Sequence, residues 1–259
     1  MANPAIVSYP TRGQAPEIFA LRLKNIADAH GGMDYWRSLK NIDVEMSVSG
    51  FLFVMKRVPR LTRVRLTIST ERPEVTIYDY PVAGKTTRFC GEGLVEILDA
   101  QGNVLQARKN PREQFSRVRR LFYWDALDFA YFSGYALWNY LTMPFLLLNP
   151  DVEVEKLDRA GHGGLTKLTV RFPKIFPTHC ESQDFYFDHQ WHLCRHDYTV
   201  EVLGSWAKAA HFCDEYQQFF GLSLPVKRRA YPKLFGNIPF RAITMVAIDI
   251  HDIKLEGAL

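Results

Sequence analysis

Apolar and polar residues change their period several times along the chain, and each change marks an element. Over 15–29, Ile18, Phe19, Leu23, Ile26 and Ala27 recur at helical spacing, and Gly31-Gly32 supplies a stop. The period then drops to two. Ile42, Val44, Met46 and Val48 alternate with Asp43, Glu45, Ser47 and Ser49, the pattern of a half-buried strand. Val64, Leu66 and Ile68 alternate with Arg63, Arg65 and Thr67 in the same way. Shorter strands are predicted near 74–79, 86–91, 94–99 and 103–108, the last two joined by Gln101-Gly102-Asn103. Together these strands make an antiparallel meander.

Asn110-Pro111 interrupts the sheet, and a basic helical stretch from Arg112 to Arg120 leads to Trp124-Asp125. Asp125 can cap the helix that follows, with Asp128 in the first turn where the helix dipole favours an acid. Phe129 to Leu148 then carries no charged residue over 20 positions, enough to cross a bilayer. Its contents argue for burial in protein instead. Ser133, Gly134, Asn139, Thr142 and Pro144 interrupt it, and its Tyr and Trp residues lie in the middle rather than at the ends. Pro144 should end or kink the helix. Strands resume near 152–157, 165–172, 179–187, 192–203, 206–217, 223–231 and 242–253. The expected fold is α+β: a long curled antiparallel sheet, an unclosed β-barrel, wrapped around a central apolar helix. It forms one domain over 1–259, with an N-terminal helical segment (1–40), a first meander (41–109), a helical insertion (110–148) and a second meander (149–259).

This order has a resemblance. A helix ending in Ala29-His30-Gly31-Gly32, a meander, an apolar helix and a second meander is similar in layout to the outer-membrane lipoprotein carriers (LolA/LolB-like). Phe185-Tyr186-Phe187-Asp188, then Leu193 to Tyr198, then Gly221-Leu222-Ser223-Leu224-Pro225 resemble the second half of such carriers. The resemblance implies an unclosed barrel that holds acyl chains in its concavity. It also extends to cofactor-free enzymes of bacterial biosynthesis, so carrier and catalyst both remain open. The carriers are exported, whereas the first residues here have no basic n-region and no long apolar h-region, so a cytoplasmic relative is expected.

Composition sharpens this. Aromatics reach 14%, with 18 Phe and 12 Tyr, which fits a large apolar interior or a site for an apolar ligand. A net charge of +4 does not call for nucleic acid. Four cysteines are too few for a disulfide scaffold at 259 residues and read as reduced thiols. There is no Walker loop, dinucleotide glycine turn, nucleophile elbow or His-Glu-x-x-His, so no cofactor is expected. His30 reads as a helix-end cation favoured by the dipole, and Arg117–Arg120 and Lys227–Arg229 as solvated faces.

The candidate chemistry lies in 179–217. A two-residue turn at Gly204-Ser205 would pair Tyr198 with His211 and His196 with Cys213. A short loop at 188–191 would pair Phe187 with His192, Gln183 with His196 and His179 with Val200. One face then collects His179, Gln183, Phe185, Phe187, His192, Cys194, His196, Tyr198, His211 and Cys213, turned toward the central helix. Ser182, Asp184, Tyr186, Arg195 and Asp197 fall on the other, solvated face. Three readings compete: acid–base catalysis, a zinc site at His192, Cys194, His196, His211 and Cys213, and buried histidines with no role beyond packing. No zinc signature matches the spacing, and no metal is assigned. The working assignment has His196 and His211 as base and acid, Tyr198 as donor to a developing oxyanion and His179 as a further proton acceptor. Gln183, Phe185, Phe187, Cys194, Cys213, Trp138, Asn139 and Tyr135 would line the ligand. The expected partner is a hydrophobic, cyclic small molecule that undergoes isomerisation, cyclisation or hydrolysis, with no nucleic acid and no stable membrane insertion. The alternative is a non-catalytic carrier of a lipid or hydrophobic metabolite.

Overall fold

A computed structural model describes residues 15–159, 164–234 and 237–257. Helix α1 (Ala15–Ala29) and a short α2 (Met33–Arg37) precede strand β1 (Leu39–Ser49). Helix α3 (Phe51–Met55) follows, then β2 (Leu61–Ser69), β3 (Glu74–Tyr78), β4 (Thr86–Cys90), β5 (Leu94–Leu98) and β6 (Val104–Lys109). The basic stretch becomes two 3-10 turns, Pro111–Ser116 and Val118–Leu121, rather than a regular helix. Helix α4 (Ala126–Thr142) and a 3-10 turn (Phe145–Leu148) lead to β7 (Glu153–Arg159), β8 (Thr166–Arg171), β9 (Ser182–Phe187), β10 (Leu193–Thr199), β11 (Lys208–Phe219), β12 (Leu222–Pro232) and β13 (Val246–Gly257).

All 13 strands belong to one antiparallel sheet, in the order β6-β5-β4-β3-β2-β1-β13-β12-β11-β10-β9-β8-β7. Strands adjacent in sequence are adjacent in space except β6 and β7, and β1 pairs with β13, which joins the two meanders. The free edges are β6 and β7, and the segment that connects them carries α4. The sheet therefore curls without closing, and the insertion enters its concave side. No described helix is long and apolar enough to cross a membrane. Sixteen of the 17 residues of α4 are buried, as its all-round apolar composition requires.

Capping fixes where α4 starts. Asp125 accepts from the Asp128 backbone N–H at 2.9 Å, and Asp128 accepts from the Asp125 N–H at 3.2 Å, a reciprocal box with Asp in the place of Glu. The box is buried among guanidiniums. Arg120 Nε and Arg108 Nη1 both donate to Asp128 Oδ1 at 2.6 Å, and Arg108 also grips Asp125. Arg120 is thus not on a solvated face; burial of Asp128 draws it inward. Along its length α4 packs most closely on β2–β5. Gly134 makes this approach possible, because a Cβ there would overlap the Phe89 side chain of β4. Toward β11–β13 the helix stands off, and the gap is a cavity.

Candidate functional site

The cavity holds about 670 Å³. Ser133, Ala136, Leu137 and Tyr140, spaced i, i+3, i+4 and i+7, give it one wall on a single face of α4. The sheet supplies the other wall through Val48, Ala209, Ala230 and Ile248. Small side chains on both walls leave the space empty: Ala136 faces the sheet where Ala209 and Ala230 face the helix. A second cavity of about 490 Å³ lies under the far end of α4 and takes Trp138 and Thr142 into its lining.

Tyr140, Tyr198 and His179 reach the wall of the larger cavity together as a buried polar patch, and Lys56, Lys208 and Lys233 line the cavity elsewhere. Behind the patch runs a chain of hydrogen bonds. Tyr135 OH meets His179 Nδ1 at 3.1 Å, and His179 Nε2 meets Tyr140 OH at 2.7 Å. Tyr140 OH meets Tyr198 OH at 2.7 Å, and Tyr198 OH meets His211 Nδ1 at 3.3 Å. A neutral His179 donates through one nitrogen and accepts through the other. The chain then has a single direction, and reversing it moves one proton equivalent from end to end. His211 Nε2 is left with no hydrogen-bond partner. The His179 and Tyr198 rings stack at 4.0 Å, and Tyr140 meets His211 edge-on at 4.4 Å.

The strand register that builds this patch differs from expectation by two residues. His196 lies opposite His211, and Tyr198 opposite Ala209. The connection from β10 to β11 is longer than a two-residue turn, since Val200 N–H donates to Ala207 O across a 3-10 turn at Glu201–Leu203. On the other side His196 faces Phe185 rather than Gln183, through an irregularity between Leu193 and Arg195. A shift of two preserves the face, so His196, Tyr198, His211, Gln183, Phe185, Phe187 and Cys213 are all buried as expected. Cys194 falls within the irregularity and is half-buried. His179 precedes β9, and its carbonyl accepts from Glu201 N–H at 3.2 Å.

Sharing a face does not put every residue at the cavity. Of the four assigned to catalysis, Tyr198 and His179 reach it. His196 and His211 sit behind the wall. His196 Nε2 is taken by Gln183 Oε1 at 2.5 Å and its ring stacks on Phe185 at 4.3 Å. Gln183, Phe185, Phe187, Cys194, Cys213, Asn139 and Tyr135 do not line the cavity, and Asn139 Nδ2 donates to Tyr135 O and Pro177 O. Among the described residues, no group of three or more His, Cys, Asp or Glu is placed to hold a metal ion. The opposite face is less solvated than its composition suggests. Asp197 is buried there beneath Arg195 and Lys233, each pairing with it at under 3 Å, and Tyr186 is buried beside it.

Two residues outside the expected set shape the site. Tyr140 is the hinge of the hydrogen-bond chain. Arg228 is buried under it, donating to Tyr140 O at 2.6 Å and to Cys213 Sγ at 3.1 Å, with no paired carboxylate among the described residues. Burial, reinforced by the Arg228 charge, pushes the His196 imidazole down to about 3 and His211 well below its ordinary value. Burial likewise lowers His179 and raises the Tyr140 and Tyr198 phenols. The patch is therefore neutral: three imidazoles without a charge and two phenols that keep their protons.

His30 joins these histidines instead of acting as a helix-end cation. It is buried, with Nδ1 on Ile26 O at 2.8 Å and its ring edge-on to His192 and Tyr216. Burial pushes it down to about 4. Native histidines held below the unfolded value refuse protons that the unfolded chain accepts, so stability is full above about pH 6.5 and falls as pH drops. Each such histidine contributes a slope of about 1.4 kcal/mol per pH unit between the two pKa values. Denaturant titrations between pH 7 and 4.5 should show a steep, progressive loss, reduced by one histidine's share in His30→Gln. A flat profile would mean that these imidazoles are charged or solvated.

No protein-family model matches the chain, and no curated protein matches it. Among solved structures it is similar to a LolA superfamily protein from Nitrosomonas europaea, at 9% identity and a TM-score of 0.49 over 93% of this chain and 94% of that one. It is also similar to a DUF1329 family protein from Desulfovibrio piger, at 13% identity and a TM-score of 0.48 over 93% and 94% of the two chains. These are likenesses of layout at low identity, as the order of elements implies.

Proposed function

We propose that this protein binds one lipophilic molecule in the cavity between α4 and the concave sheet. The observation that carries the reading is a space of about 670 Å³ walled mainly by Leu, Val, Ile, Phe and Ala, with a buried patch of two phenols and an imidazole. Of the three lysines that also line it, Lys56 donates to the Arg120 and Leu121 carbonyls, Lys233 pairs with Asp197, and Lys208 stands exposed at the rim. A site of this size and polarity suits an apolar body with few polar atoms. The neutral state of Tyr140, Tyr198 and His179 selects the polar end. Phenols and an uncharged imidazole match a hydroxyl, carbonyl or ester oxygen. They do not offset the cost of desolvating a carboxylate or ammonium.

A second reading rests on the convergence of the polar groups. Tyr198 and His179 touch the ligand space at one point and continue inward to His211, which suits proton transfer to and from a bound carbonyl. In this reading Tyr198 donates to the developing oxyanion, while His179 and His211 move the proton behind it and His196 positions the wall. One substitution separates the two readings. Tyr198→Phe keeps the ring stack and removes the hydroxyl, so titration with the apolar fluorophore N-phenyl-1-naphthylamine should still saturate at one equivalent, with affinity within about twofold of wild type. The catalytic reading adds that turnover of the natural ligand falls roughly 100-fold with the same change. Absence of saturable fluorophore binding to wild-type protein would count against both, and unchanged turnover in Tyr198→Phe against the catalytic one.

A further inference from the structure

Five large apolar residues both line the cavity and stand well exposed: Met55, Leu121, Phe122, Trp206 and Leu234. A residue that does both marks the mouth. Here three separate parts of the chain meet: α3, the turn before α4, and the loops flanking β11 and β12. Gly50 sets the position of α3, since its φ of +136° and its approach to the Met245 backbone admit no side chain. Burying Leu52 and Phe53 then leaves Phe51, Val54 and Met55 pointing outward, so this helix is apolar on both sides. Val54, Val118 and Trp206 are each more than 70% exposed. A soluble surface has no use for so many large apolar side chains around one opening.

The charge around this opening is one-sided. Residues 51–60, 117–123, 203–208, 231–234 and 237–245 contain nine Lys and Arg and no Asp or Glu. Lys56 and Arg120 are buried, and Arg119 and Lys233 pair with Asp125 and Asp197, so the cations left on the exposed rim are Arg57, Arg60, Arg117, Lys208 and Arg241. Arg57, Arg60 and Arg117 are exposed and make no ion pair among the described residues. Basic side chains interleaved with exposed aromatic and aliphatic ones are what an anionic bilayer interface accepts: the apolar tips enter the headgroup boundary and the cations meet lipid phosphates. A nucleic acid or an acidic protein would use the charges and leave the apolar ring unburied.

We infer that the rim of the cavity is a peripheral docking surface for an anionic lipid bilayer, oriented so that the mouth opens onto the lipid. Docking of this kind needs no spanning segment. It takes its purpose from the lipophilic-cargo reading but is tested apart from it. Co-sedimentation of the full chain with vesicles of phosphatidylcholine alone, or of phosphatidylcholine with phosphatidylglycerol, reads it directly. Wild type should bind the anionic vesicles and release them at high salt. Arg57→Glu with Arg60→Glu should weaken this binding about 25-fold or more, at roughly fivefold for each basic residue withdrawn. Val54→Asp with Val118→Asp should weaken it at least as much. These four residues do not line the cavity, so binding of N-phenyl-1-naphthylamine without vesicles should stay as in wild type, which also reports intact folding. Loss of fluorophore binding in wild type with vesicle binding retained would remove the cargo reading and leave the docking surface. Equal binding to both vesicle types, insensitivity to the Asp substitutions, or transfer of the same sensitivity to RNA binding or self-association would overturn the docking surface itself.

Discussion

Asp128→Ala should cost about 3–5 kcal/mol of stability, lowering the melting temperature by roughly 10 °C. The carboxylate has no exposed surface and receives Arg108 and Arg120 at 2.6 Å each. Its removal leaves the Arg120 guanidinium buried without its anion, and an uncompensated buried charge costs more than the ion pair gains. It also opens half of the capping box, so the first turn of α4 loses its reciprocal bond to the Asp125 N–H. The exposed pair Lys24–Asp28 has similar geometry, 2.5 Å between charges, but lies in solvent. Asp28→Ala should therefore change stability by less than about 0.5 kcal/mol. Calorimetry on the two variants checks the contrast. Equal small effects would mean that Arg108 and Arg120 find solvent or other acceptors, and that α4 is anchored by apolar packing alone.

The sheet was legible because period two survives errors of two. Both predicted registers around β10 are displaced, yet every assignment of His196, Tyr198 and His211 to the concave face holds. The irregularity at Leu193–Arg195 left no local signal, since nothing in Leu193-Cys194-Arg195 demands an extra residue. Arg228 was legible in principle. Lys227 pairs with Glu215 and Arg229 with Asp249, so alternation alone puts the residue between them inside. A run of three cations reads as a solvated patch only when period two is ignored. Tyr140 follows from helical spacing with Ser133, Ala136 and Leu137 once that face is known to stand off from the sheet. What the sequence could not show was which side of an all-apolar helix packs and which does not. Gly134 against Phe89 settles it, and that contact joins residues 45 positions apart. The expectation that His196 and His211 meet a ligand failed to separate two properties: sharing the concave face, and lying under the gap.

Ala136→Trp carries the other large effect. Ala136 lies midway along the cavity wall of α4, opposite Ala209 and Ala230. An indole there enters empty space, so folding should be unharmed, and filling a cavity tends to raise the melting temperature. The same ring removes the room that an apolar ligand needs. Binding should weaken by roughly 100-fold or more, equivalent to about 3 kcal/mol. Serine at the same position leaves the volume unchanged and should bind nearly as well as wild type.

Native mass spectrometry of the full chain, followed by organic extraction and mass analysis of whatever is released, tests the cavity most directly. Wild-type protein purified without detergent should carry a single lipophilic molecule per chain, bearing an uncharged oxygen function, and Ala136→Trp prepared in parallel should carry none. A wild-type chain that is empty and takes up no apolar molecule, or an Ala136→Trp chain that holds the same molecule at the same occupancy, would contradict the assignment of the space between α4 and the sheet as the binding site.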